Sequence, residues 1–81
     1  MRYIATFFSH FGAIRFEKNC KSKNVSAKLM PVPRTLSSSC GTCVSYESDD
    51  YRAGVSITNE VEQIVEVLES GYKECYRAEN S

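Results

Sequence analysis

The chain carries no excess of charge of either sign, no long hydrophobic run and no second close pair of cysteines. Ten Lys and Arg side chains cancel ten Asp and Glu, so nothing in the overall electrostatics favours a nucleic acid or a membrane surface as partner. The apolar run near the start, Tyr3 to Phe8, is far short of a membrane span, and the polar pair Ser9 and His10 follows before any small-residue cleavage site. A cytoplasmic protein is expected, with its thiols reduced. Of Cys20, Cys40, Cys43 and Cys75, only Cys40 and Cys43 lie close together. A four-thiolate zinc site draws on two such pairs, so neither a metal nor another cofactor is expected. Repeats and low-complexity linkers are absent as well. Eighty-one residues support a single domain, 1–81, that buries about 60–65% of its unfolded surface.

Six elements follow from the patterning. The stretch RYIATFF (2–8) is aromatic and β-branched and reads as a buried strand. Ser9 is placed to cap a helix to about Ser22, with Gly12, Ala13, Phe16 and Cys20 on one stripe. Residues 24–32 alternate Val25, Ala27 and Leu29 against polar neighbours as a second strand, and TCVSYE (42–47) reads as a third. Asn59 and Glu62 form a capping-box pattern ahead of Val61, Ile64, Val65 and Leu68, which predicts a second helix closed by Gly71. YKECYRA (72–78) is the last strand. The order β-α-β-β-α-β predicts an α+β, ferredoxin-like sandwich, two helices on one face of a four-stranded sheet.

What is scarce elsewhere is concentrated in one place. Both prolines, three consecutive serines and two of the cysteines fall within PVPRTLSSSCGTC (31–43). Pro31 and Pro33 stiffen the start of the loop, and Gly41 permits a tight turn after Cys40. A thiol is nucleophilic as its thiolate, which helix N-termini and neighbouring cations favour. Arg34 shares the loop, and the expected topology brings His10, Ser9 and the start of the first helix to the same end of the sheet. Ser37, Ser38, Ser39 and Gly41 add hydroxyls and N–H groups for an anionic sulfur or an oxyanion. Cys20, on the apolar stripe, and Cys75, in a strand, read as packing residues. The bland alternative is an inert thiol in a solvated loop, with His10 and Arg34 serving only solvation.

Cys40 and Cys43 also make a C-x-x-C motif. In thioredoxin-like proteins the motif opens a helix, whereas here the chain runs into a strand, which separates the two Cα atoms by about 10 Å, beyond the roughly 7 Å reach of a disulfide. A bridge would need the loop to bend back.

LMPVPRTLSSSCG (29–41) together with YIATFFSHFGAIRFEK (3–18) closely resembles the selenium/sulfur carrier-like family of small bacterial proteins. The resemblance covers residues 3 to about 46, and Pro31, Pro33, Arg34, Ser38, Ser39, Cys40 and Gly41 match its loop. Cys43 stands where a small or apolar residue is more usual, and the connection YESDDYRAGVSI is longer than expected. The resemblance implies that Cys40 carries the chalcogen as a persulfide or perselenide. A pyridoxal-phosphate cysteine desulfurase or selenocysteine lyase would supply it and an acceptor enzyme would take it, which makes the protein more a carrier than a turnover enzyme. Two other readings stay open: a thiol redox protein or sensor using Cys40 and Cys43, and a ligand-binding or regulatory module, with a homodimer through sheet edges among its forms.

Overall fold

The computed structural model describes residues 1–79. Its strands are β1 (Arg2–Phe7), β2 (Ala27–Pro31), β3 (Thr42–Glu47), β4 (Val61–Leu68) and β5 (Gly71–Arg77), and one helix, α1 (His10–Ser22), joins β1 to β2. They form one antiparallel sheet in the order β2-β3-β1-β4-β5. The ferredoxin-like expectation of two helices on four strands is thereby overturned. Its first half survives: β1 and β2 both run antiparallel to β3, which lies between them.

The second helix is the error. Residues 61–68 form β4, between β1 and β5. Val61, Ile64, Val65 and Leu68 fit helical spacing, but four of the eight residues from Val61 to Leu68 are Val or Ile, whose branched Cβ suits a pleated sheet better than a helix. Of the capping pair, Asn59 lies in a turn, where Thr58 Oγ1 accepts from the Glu60 N–H at 3.2 Å, and Glu62, in β4, accepts from Ser39 instead of capping a helix. Gly71, at φ +138°, follows a tight β4–β5 turn through Glu69 and Ser70 rather than ending a helix.

The helix face of the sheet is packed by aromatic rings. Tyr3, Ala5 and Phe7 of β1, Val44 and Tyr46 of β3, and Val61 and Ile64 of β4 meet Ala13, Phe16 and Cys20 of α1. Phe16 lies 5.3 Å from both the Phe7 and the Tyr46 ring, centroid to centroid, a separation at which tilted rings attract beyond their buried area. Where a second helix was expected, the connection after β3 lays Tyr51, Ala53, Val55 and Ile57 on this core. It is fixed by the Asp50 carboxylate, which accepts from the Arg52 and Ala53 N–H groups, and by the Tyr46 hydroxyl, which donates to the Tyr51 carbonyl.

Among the described residues, the opposite face has no helix. Ile4, Cys43 and Val65 are buried there by Met30, Val32, Leu36 and Val67, so the segment between β2 and β3 is itself the cover.

Ser9 caps α1, accepting from the Gly12 N–H at 3.2 Å. Gly12 is where the helix comes closest to the segment leading into β4: a Cβ built there meets the Glu60 Cβ at 2.8 Å. Gly12→Ala therefore loses more through overpacking, about 1–3 kcal/mol, than the ~1 kcal/mol it gains in helix propensity. The urea midpoint should fall. Glu60→Ala should leave that loss in place, because it keeps the offending carbon, and Glu60→Gly should relieve part of it.

Candidate functional site

β2 and β3 are a hairpin whose loop is closed by the Val32 N–H donating to the Gly41 carbonyl at 3.1 Å. Gly41 has φ +76°, and a Cβ there would meet nothing within 4 Å. The left-handed backbone, not space, favours glycine. Between these ends the Leu36 N–H donates to the Pro33 carbonyl at 3.0 Å, turning the chain back across the sheet so that Val32 and Leu36 rest on Ile4, Cys43 and Val65. Two side-chain contacts tie it down. Thr35 Oγ1 lies 3.1 Å from the Tyr72 hydroxyl of β5, and Ser39 donates twice to the Glu62 carboxylate, from its N–H at 3.1 Å and its hydroxyl at 2.9 Å.

The loop places Cys40 and Cys43 in different surroundings. Cys40 is partly exposed and touches the core of the helix face; its Sγ donates to the Thr42 carbonyl at 3.4 Å. Cys43 is fully buried on the opposite face, with Sγ donating to the Pro31 carbonyl at 3.7 Å. Burial, and secondarily the charge of a Cys40 thiolate, pushes the Cys43 thiol up to about 11. Cys20 is sealed in the helix-side core and likewise raised to about 11, by burial first and Glu17 second. Cys75, expected to pack inside, is partly exposed, and its thiol is raised by burial and then by Glu66. All four cysteines are free.

His10 stands at the start of α1, with Nδ1 3.2 Å from Thr42 Oγ1. The structure thus brings His10 and the helix start to the Cys40 end of the sheet, Thr42 touching the imidazole through its hydroxyl and the thiol through its carbonyl. Arg34 is exposed and makes no hydrogen bond or ion pair with the described residues. Ser38 Oγ is enclosed without a partner among them. Among the described residues no three His, Cys, Asp or Glu side chains gather as a metal site would need, and no helix is long and apolar enough to cross a membrane.

Glu62 is the site residue that sequence reasoning missed. Its spacing from Asn59 suggests a helix cap, whereas its contact with Ser39 spans 23 positions, beyond any local pattern.

The thiol environments set two measurable outcomes. Iodoacetamide at pH 8 should label Cys40 rapidly in the native protein and Cys75, partly exposed but with a raised thiol, more slowly, while Cys20 and Cys43 react only after denaturation, read by peptide mass spectrometry. Folding favours the protonated form of the two buried thiols, so their contribution to stability is full below the unfolded value of about 8.5 and is lost as pH rises towards about 11. The urea midpoint should therefore decline between about pH 9 and 11, and less steeply in Cys43→Ala.

No curated protein and no solved structure matches the chain. A family model does, over residues 2–77, which takes in every strand, the helix and the whole cysteine loop. The chain belongs to the family described as "Putative Se/S carrier protein-like".

Proposed function

We propose that the protein carries sulfur or selenium on Cys40. The observation that supports this reading best is the contrast among its thiols: Cys20 and Cys43 are sealed in two separate cores, and Cys75, though partly exposed, sits in strand β5 with its thiol raised by burial, whereas Cys40 is partly exposed on a loop tied to β4 and β5. A carrier needs one accessible thiol in a fixed place.

The transfer balances without an outside oxidant. The Cys40 thiolate attacks the terminal sulfur of a persulfide on the donor's cysteine; a new S–S bond forms, the donor's S–S bond breaks, and the donor cysteine leaves as its thiolate. Handing on repeats the step, an acceptor nucleophile taking the terminal sulfur and Cys40 leaving as thiolate. Selenium follows the same course. A pyridoxal-phosphate cysteine desulfurase or a selenocysteine lyase fits as donor. Thr42 and His10 hold the rim beside Cys40, and Arg34, free of ion pairs in the described structure, is available to a partner's carboxylate or to the anionic terminal sulfur. The dithiol alternative is disfavoured by Cys43, whose sulfur is buried on the face opposite α1.

Incubation with a cysteine desulfurase and cysteine tests the reading. Intact-mass spectrometry should show one added sulfur atom on the wild type, removable by dithiothreitol, and none on Cys40→Ser, while Cys43→Ala still accepts it. Equal loading of Cys40→Ser, or no loading of the wild type, would overturn the proposal.

A further inference from the structure

Ser39, the residue before Cys40, has both of its donors occupied. Its N–H and its hydroxyl point at the two oxygens of one carboxylate, Glu62, at 3.1 and 2.9 Å. They are donors that a loop built to hold an anionic sulfur would be expected to offer its cargo, and here a fixed negative charge fills that place. Ser38 Oγ, next in the chain, is enclosed and has no partner among the described residues. Backbone geometry keeps the carboxylate within roughly 10 Å of the Cys40 sulfur, about one Debye length in ordinary buffer.

We propose that Glu62 determines which sulfur donors Cys40 accepts: by occupying the Ser39 donors and setting a negative charge beside the thiol, it turns away small anionic donors and leaves Cys40 to be loaded from a protein-held persulfide. The inference rests on the carrier reading for its biological meaning, but the selectivity itself does not. A protein donor brings its own cations and its own binding surface, so one surface carboxylate costs it little. A small anionic persulfide brings neither. The wild-type loop meets it with a repelling charge and with the Ser39 N–H and hydroxyl already taken. Glu62 is in this sense a positioning residue, since it acts through Ser39 and through its field rather than by touching the sulfur.

The test compares two alkylating reagents of similar size and different charge, neutral iodoacetamide and anionic iodoacetate, on Cys40 at one pH. In Glu62→Gln the iodoacetate rate should rise relative to the iodoacetamide rate by about two- to fourfold, a gain that shrinks in strong salt. Glu47→Gln serves as control: Glu47 is the last residue of β3, far along the strand from Thr42, and pairs with Arg2, so the ratio should not change. If Glu62→Gln fails to fold by circular dichroism, Glu62→Ala replaces it with the same expectation. A loop merely loosened by the substitution would speed both reagents alike and leave the ratio where it was, and that result would overturn the proposal. The functional arm uses glutathione persulfide and a persulfidated desulfurase as donors. Glu62→Gln should gain sulfur faster from the first and at an unchanged rate from the second; equal gains from both would again overturn it. Failure of every donor to load the wild type, with the alkylation ratio still shifted, would refute the carrier reading and leave the electrostatic role of Glu62 standing.

Discussion

A single helix can cover only one face of a five-stranded sheet, and the remainder of the structure depends on how the other face is closed. Ile4 of β1 is paired directly with Val65 of β4 there, with Cys43 of β3 diagonal to Ile4 on the same face, and water has to be kept from them. Val32 and Leu36, from the loop between β2 and β3, do this with Met30 and Val67, each fully covered aliphatic side chain contributing roughly 1.5–3 kcal/mol relative to leaving it in solvent. The loop is therefore part of the core's outer wall. Its path across the sheet accounts for the contacts to β5 and β4, through Tyr72 and Glu62, and for its stiff proline-rich start.

That duty separates the cysteines chemically. Cys43 sits under the cover and Cys20 under the helix, and each keeps its proton because no water or cation reaches the sulfur to stabilise a thiolate. Cys40 lies where the loop comes round the end of the sheet to rejoin β3, touching the helix-side core rather than the face that Leu36 covers. Two thiols three positions apart in sequence thus belong to opposite sides of the sheet. The C-x-x-C spacing, which in a helical turn would join them, here keeps them apart.

The legible parts of the sequence were those where local signals and tertiary demand agree. Ser9 as a cap, the stripe Gly12, Ala13, Phe16 and Cys20, and the strands around 2–8 and 42–47 were all readable because each is written within a few residues. β4 was not, because its apolar positions satisfy both periods at once: Val61 and Ile64 face the helix side while Gln63 and Val65 face the other. An irregularity in the ladder at Thr6 and Phe7 of β1 lets the side assignment slip by one residue, which erases the strict alternation that marks a strand. The β-branched content and the Glu69–Ser70 turn ahead of Gly71 are the better guides. The loop was recognisable as special from composition alone, yet its two anchors, Tyr72 and Glu62, lay in elements far along the chain, where no spacing rule reaches.

A loop that seals a core face cannot swing open without exposing Ile4, Cys43 and Val65. On the proposed carrier reading, chemistry at Cys40 then proceeds with the loop in place, at the rim. On that reading, exclusion of water around a transferring sulfur would fall to the partner, closing over the rim formed by Cys40, Thr42 and His10. The same constraint argues that substitutions at Leu36 or Thr35 would reach Cys40 indirectly, by loosening the cover, whereas those at Glu62 would, on the proposal above, act on the field and the donors around the thiol. Within the ten residues between β2 and β3, Val32 and Leu36 hold the sheet face, Thr35 and Ser39 anchor the loop to β5 and β4, and Cys40 is left partly exposed at the rim.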